Sequence, residues 1–272
     1  MQDSNTNLSD KALKDYLDID FINLGDTVST NTYAKELGLS GKCHKPTVII
    51  ANSQSGGRGR LGRSFYSEGG IGLYMSLLLF PKLPLSELQR ITTAAAVAVC
   101  QAIEELCPSK PAIKWVNDIY LNDKKLAGIL TEGSYDPETR STKFAVVGIG
   151  INVFSPKNGF PDDISNIATS LFPENSPLIS HQYPFFRERL CAAIIRRFIP
   201  LYEDIKQSPH FKEYRDRLFI IGKNVDVIEN DRIKPAKVID LLPDFSLLVE
   251  YDDGNRKALI SGEVSLKLNT KE

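Results

Sequence analysis

Ser53-Gln54-Ser55-Gly56-Gly57-Arg58-Gly59-Arg60-Leu61-Gly62-Arg63, with Ile71-Gly72-Leu73-Tyr74-Met75-Ser76-Leu77-Leu78-Leu79-Phe80 after it, is the stretch that decides how this chain is read. Four glycines between 56 and 62 leave a backbone with little side-chain obstruction and ready access to positive φ. Arg58, Arg60 and Arg63 set permanent cations along it, so the loop suits an anion. Gly57, Gly59 and Gly62 also satisfy G-x-G-x-x-G, but the dinucleotide fingerprint must open a helix whose N-terminus faces a pyrophosphate. Here the loop opens onto an apolar run ended by Pro81, which reads as a buried strand. The arrangement is strand, basic glycine loop, strand, and the Rossmann reading fails on context.

The 272 residues, 42% of them hydrophobic, suffice for one large domain and a small one. With 33 Lys and Arg against 34 Asp and Glu the formal charge is -1, so a general polyanion-binding surface is not expected and any basic site is local. The polar start, residues 1–10, has neither the basic nor the apolar region of a signal peptide, and no run is long enough to span a bilayer. A cytoplasmic protein without membrane contact is expected. Cys43, Cys100, Cys107 and Cys191 show no C-x-x-C spacing, and His44, His181 and His210 are scattered singly. Neither a disulfide framework nor a protein-held metal site is expected.

Outward from the loop, residues 1–18 read as a flexible leader. A short strand at 21–24 leads to a helix over 33–37, with Ser29 or Thr30 as N-cap and Gly38 as its end. Hydroxyls and free N–H groups at such a helix start are either a plain cap or a small polar socket. Residues 47–51 form the strand that delivers the loop. Beyond Pro84, Ser86 and Gln89 make a capping box for a long helix ended near Pro108. Residues 112–121 read as one strand, paired through a turn at Asn122-Asp123 with 125–130. Lys114 within it is either a solvated outward residue or a functional cation. Gly148 and Gly150 interrupt the strand 144–153, and a ligand lying across them would explain the missing side chains. After a proline-rich loop over 155–183, an amphipathic helix starts near Pro184 and is bent or broken at Pro200. From Gly222 the pattern changes to short strands at 225–228, 234–239, 246–251 and 256–260, with turns at 230–231, 243–244 and 253–254.

Ser29-Thr30-Asn31, the loop at 57–63, Lys114-Trp115-Val116-Asn117-Asp118, Lys125-Leu126-Ala127-Gly128 and Gly148-Ile149-Gly150-Ile151-Asn152, in this order and spacing, resemble the biotin protein ligases. The resemblance covers roughly residues 20 to 268. It implies an α+β chain: a catalytic domain at 19–218 of the class II aminoacyl-tRNA synthetase type, mixed sheet with helices, and an SH3-like β-barrel at 219–270. The implied activity is formation of biotinyl-5'-AMP from biotin and ATP with Mg²⁺, then transfer of biotin to a lysine of the carboxyl carrier domain of acetyl-CoA carboxylase. Implied biotin contacts are Ser29, Thr30, Asn31, Gln54, Arg58, Gly59, Arg60, Lys114, Gly128, Gly148 and Gly150. Arg60, Arg63, Asn117, Lys125 and Asn152 are implied for ATP and the adenylate, and Lys114, Arg58 and Arg60 for the chemistry. Metal would come with the nucleotide. Val116 stands where the family has proline, and Phe65 where tryptophan is common. Ile167 is the nearest candidate to stack on adenine. The leader is too short for the DNA-binding domain of many bacterial relatives, so no DNA binding is expected. The oligomeric state stays open, a homodimer included.

The chemistry asks for these residue types on its own terms. A carboxylate attacking the α-phosphate of ATP brings anions together, which calls for fixed cations and backbone donors in a water-poor site. Two other readings stand beside this one: a lipoate or octanoate ligase, and a non-catalytic binder of an anionic ligand or of RNA.

Overall fold

The computed structural model describes residues 19–172, 185–229, 232–260 and 263–266. The expected leader, most of the expected loop beyond 172 and the turn at 230–231 lie outside them. Seven strands form the main sheet, in the order β1-β3-β5-β9-β8-β7-β6. They are β1 (Asp20–Asn23), β3 (Thr47–Ala51), β5 (Gly72–Leu79), β9 (Ser141–Asn152), β8 (Lys124–Asp136), β7 (Asp118–Leu121) and β6 (Ala112–Lys114). The sheet is mixed: β1 and β3 run parallel because helix α1 (Thr30–Leu39) crosses between them, and the other neighbours are antiparallel. All eight residues of β5 are buried, as its unbroken apolar run requires.

Both faces of the sheet are covered. On one, Ile49, Leu78, Phe144 and Val146 pack with Ala34 of α1. On the other lie α2 (Gln89–Leu106) and α3 (Phe186–Glu203), where Ala94, Ala95, Ala98 and Ala102 let α2 approach closely. A fourth helix, α4 (Phe211–Asp216), is joined to α2 by Arg217, which donates to Glu104 and to Glu213. The chain then enters a five-stranded antiparallel sheet of the SH3-like kind, ordered β13-β12-β11-β10-β14. Its strands are β10 (Asn224–Glu229), β11 (Arg232–Leu241), β12 (Leu247–Tyr251), β13 (Arg256–Leu259) and β14 (Glu263–Leu266). Its apolar residues join the main core.

Several expectations need correction. Gly38 does not end α1 but lies inside it, against the Phe144 ring, where a Cβ would stand 2.9 Å from the ring. Ser29 is the N-cap residue of α1, yet its side chain makes no capping bond. No capping box forms at Ser86: residues Leu85–Glu87 are a 3₁₀ turn, and Gln89 spends its amide on the carbonyl of Phe245, 2.7 Å away. The strand expected over 112–121 is two strands, β6 and β7, folded back on one another with Trp115, Val116 and Asn117 as the turn. The Trp115–Val116 peptide is cis. Helix α3 is not broken at Pro200 but continues to Glu203. Strand β14, α4 and the long reach of β8 to Asp136 were not anticipated.

His210 illustrates how the two sheets are joined. It lies fully buried with its ring stacked on Phe245 at 5.0 Å and its Nε2 2.9 Å from Thr93 Oγ1 of α2. Burial, helped by the nearby Arg90 charge, lowers its pKa from 6.5 to about 4. Protons therefore bind the unfolded chain more readily. The stability held by neutral His210 is complete above about pH 6.5 and is lost as pH falls toward 4, a loss of about 3 kcal/mol from this residue. Thermal unfolding of His210→Gln should show a lower stability at pH 8 and a flatter decline between pH 6.5 and 4 than the unsubstituted protein.

Candidate active site

A cavity of about 410 Å³ opens on the face of the main sheet where the glycine loop, the start of α1 and the β6–β7 turn meet. Its polar end is built by α1. Strands β2 (Asp26–Thr27) and β4 (Ser53–Gln54) pair in parallel, which brings Gln54 beside the first turn of α1. Gln54 Oε1 accepts from the Thr30 backbone N–H at 2.9 Å and from Thr30 Oγ1 at 3.1 Å, while its amide donates to Ser67 Oγ at 3.0 Å. Ser76 of β5 stands 2.7 Å from Thr30 Oγ1 and from Asn31 Oδ1, its one proton shared between them. Ser29, Thr30 and Asn31 are buried, so this is a satisfied and rigid polar socket rather than a simple helix cap.

Gly148 and Gly150 of β9 line the cavity, and protein side chains also rest on them. A Cβ on Gly148 would stand 2.1 Å from Asn31 Oδ1, and one on Gly150 would stand 2.6 Å from the Phe65 ring. The close approach is made by the protein's own side chains. Gly128 of β8 lies beside Gly150 in register and also lines the cavity.

The cations line the same cavity. The glycine loop is a tight excursion closed by its own backbone: Gly59 N–H donates to Arg63 O at 2.7 Å, and Phe65 N–H to Gly57 O at 2.9 Å. Leu61 at its tip has φ 55 and is largely exposed. Arg58 pairs with Glu132 at 3.4 Å, and Glu132 also accepts from Asn31 Nδ2 at 3.1 Å. Arg60 donates to Asn117 Oδ1 at 3.1 Å. Asn117 is held by its own amide, which donates to Ile129 O at 2.9 Å. Lys125 pairs with Asp118 at 2.8 Å, and Lys114 Nζ lies 5.9 Å from the centre of the Tyr120 ring. Arg63, Gly59 and Asn152 complete the lining. Asn152 is mostly occupied with the chain beyond β9, donating to Thr169 O at 3.0 Å.

Every residue for which the resemblance implies a contact to biotin, ATP or the adenylate lines this one cavity, as do Ile167 and Phe65. Ser76, Glu132 and Tyr120 carry no expected role from the sequence, and Asp118 stands there only as the end of the block at 114–118. Ser76 had a visible signal, a lone hydroxyl in an otherwise apolar strand. Val264 and Ser265 of β14 reach the rim from the second sheet, which no local pattern announces. Among the described residues no three His, Cys, Asp or Glu side chains converge as a metal cage, and no helix is long and apolar enough to cross a membrane.

The arrangement offers a hydrogen-bonding socket, an apolar wall from Met75, Ile129, Ile149 and Trp115, and five cationic side chains, of which Arg58 is linked to the socket through Glu132. An acid with an uncharged polar head and a carboxylate tail fits it, together with a phosphate.

The sequence profile of the biotin/lipoate A/B protein ligase family matches residues 25–152. The chain is 38% identical over 179 residues to the bifunctional ligase/repressor BirA of Bacillus subtilis, covering 64% of this chain and 54% of that protein. It is 34% identical over 163 residues to the biotin–[acetyl-CoA-carboxylase] ligase of Paracoccus denitrificans, covering 58% and 61%. The chain thus spans somewhat more than half the length of these curated relatives. In structure it is similar to the biotin protein ligase of Aquifex aeolicus solved with biotin and ATP, with a TM-score of 0.73 and 28% identity over 91% of this chain and 98% of that one. Profile match over residues 25–152, fold and cavity chemistry agree in what they resemble: the chain is similar in sequence and in structure to the biotin protein ligases.

Proposed function

We propose that the chain catalyses ATP-dependent biotinylation of a protein lysine. The observation that carries this reading is the meeting, in one cavity, of an uncharged hydrogen-bonding socket with Arg58, Arg60, Arg63, Lys114 and Lys125. A biotin ureido ring offers one carbonyl acceptor and two N–H donors to Thr30, Asn31 and Gln54. Its aliphatic tail would lie along Met75 and Ile149 and bring the carboxylate to the cations. In the first step a carboxylate oxygen attacks the α-phosphorus of ATP, the bond to the β-phosphate oxygen breaks, and pyrophosphate leaves with biotinyl-5'-AMP behind. In the second the amine of an acceptor lysine attacks the acyl carbon, an amide forms, AMP departs, and the amine's proton is released.

Lys114 and Arg60 are suited to the oxygens on which charge grows in the first step, and fixed cations need no rearrangement at that moment. Arg63, Asn117 and Lys125 suit the remainder of the nucleotide. Mg²⁺ belongs to this scheme as MgATP, held in part by the phosphates. The acceptor is a carboxylase carrier domain, and the setting is the cytoplasm. Residues 19–218 act as the catalytic domain and 219–270 as the SH3-like one. A lipoate ligase would share the acid activation but has less use for a socket of amide and hydroxyl groups at the far end of the cavity.

ATP–pyrophosphate exchange with Mg²⁺ should proceed with biotin and not with lipoate or without an acid; exchange with lipoate alone would move the assignment. Lys114→Ala should cut biotin-dependent exchange by ~10²–10³ in a chain of unchanged thermal stability, the usual worth of one preorganised donor. Gly148→Ala should weaken biotin binding in calorimetry by tenfold or more, because the new methyl displaces Asn31 from its network. Unaltered binding would show that the socket tolerates the shift.

A further inference from the structure

The β6–β7 turn that carries Lys114 and Asn117 is held by two groups outside the cavity lining, the Tyr214 hydroxyl and the Phe245 carbonyl. Tyr214 of α4 is wholly buried, and its hydroxyl donates to the Val116 carbonyl at 2.9 Å. Burial raises its pKa far above the ordinary value for tyrosine, so the hydroxyl keeps its proton and remains a donor. One residue earlier, the Trp115 indole Nε1 donates to the carbonyl of Phe245 at 2.9 Å, the same oxygen that receives Gln89 of α2 at 2.7 Å.

Phe245 belongs to the second sheet, in the turn between β11 and β12. It has φ 66, the left-handed region that a bulky residue enters at a cost of about 1–3 kcal/mol and keeps only where its surroundings fix it. Here they do. Phe245 N–H donates to Leu242 O, and the Ser246 N–H and hydroxyl both bond Asp244 Oδ1. The Phe245 ring is enclosed by His210, Phe211 and Tyr214. The unusual backbone aims the carbonyl at Trp115.

Resting on the ligase reading above, we infer that Tyr214 and the Phe245 carbonyl are positioning groups: they fix the Trp115–Val116 backbone and so aim Lys114 and Asn117 at the reacting phosphate. The second sheet contributes to the chemistry through this contact. The biotin socket, built on α1, β4 and β5, does not touch the clamp.

The test measures kcat and KM in pyrophosphate exchange, biotin affinity by calorimetry and thermal unfolding for Tyr214→Phe, Trp115→Phe and the double variant. Each single change should lower kcat about tenfold, the kinetic equivalent of one lost hydrogen bond. In Tyr214→Phe, a residue outside the cavity lining, biotin affinity should stay within about twofold, since neither the socket nor the cavity wall is touched. The double variant should lose less than the product of the two single effects, because both clamps restrain one turn. Unchanged kcat in Tyr214→Phe, kcat and biotin affinity falling together in that variant, or effects that multiply would each overturn the inference while leaving the ligase assignment intact. Absence of biotin-dependent exchange in the unsubstituted protein would overturn both.

Discussion

Two missing side chains in β9 set the terms for the whole site. Because Gly148 and Gly150 carry no Cβ, Asn31 from α1 and Phe65 from the end of the glycine loop can rest directly on the central strand. A Cβ at either place would force the side chain resting there to shift. The core depends on the same positions indirectly. β9 pairs with β5 and β8 through the middle of the sheet, and α1 seals the apolar patch of Ile49, Leu78, Phe144 and Val146 on the face where Asn31 sits. Burying that patch is worth several kcal/mol at about 25 cal/mol per Å² of apolar surface, and it is what presses Asn31 against Gly148. Socket and core are therefore one packing problem.

The electrostatics follow from how that packing leaves the charges. Three of the five basic groups in the cavity have a partner with which they can part. Arg58 has Glu132, Arg60 has the Asn117 amide oxygen, and Lys125 has Asp118. These pairs are partly exposed, so each is worth at most about 1 kcal/mol and does not resist exchange for a phosphate oxygen. The arrangement is preorganised without being locked. A chain of net charge -1 can in this way present a strongly positive pocket to one ligand without drawing nucleic acids over its whole surface.

Much of this was legible in the sequence because the site is assembled from short contiguous blocks, each with its own local signal: glycines and arginines at 57–63, a cationic strand end at 114, two glycines in a β-branched strand at 148–150. The failures share a physical cause. Ser86 and Gln89 have capping-box spacing, but a partner 156 residues away in sequence, the Phe245 carbonyl, takes the Gln89 amide. Residues 112–121 contain no glycine or proline to mark a turn, so apolar patterning ran straight across the reversal at Trp115–Asn117. The glycines at 148 and 150 were correctly read as places of close approach, while the identity of what approaches depended on tertiary structure. Strand β14 spans four residues, and its pairing with β10 is a long-range fact that no local period could announce.

The second sheet takes on a definite physical role from this geometry. Its apolar residues continue the main core, its Phe245 carbonyl joins the Trp115 indole, Arg215 just before it is bidentate to Asp240 of β11, and Val264 and Ser265 reach the cavity rim. A sheet tethered only by a flexible linker could adjust to a ligand but could not transmit position. One whose Phe245 carbonyl is bonded both to Trp115 of the turn and to Gln89 of α2 can do so, because a buried donor left without its acceptor costs about 1–3 kcal/mol and the packed interface resists continuous deformation. The precision of the Lys114 turn is thus bought outside the sheet that bears it.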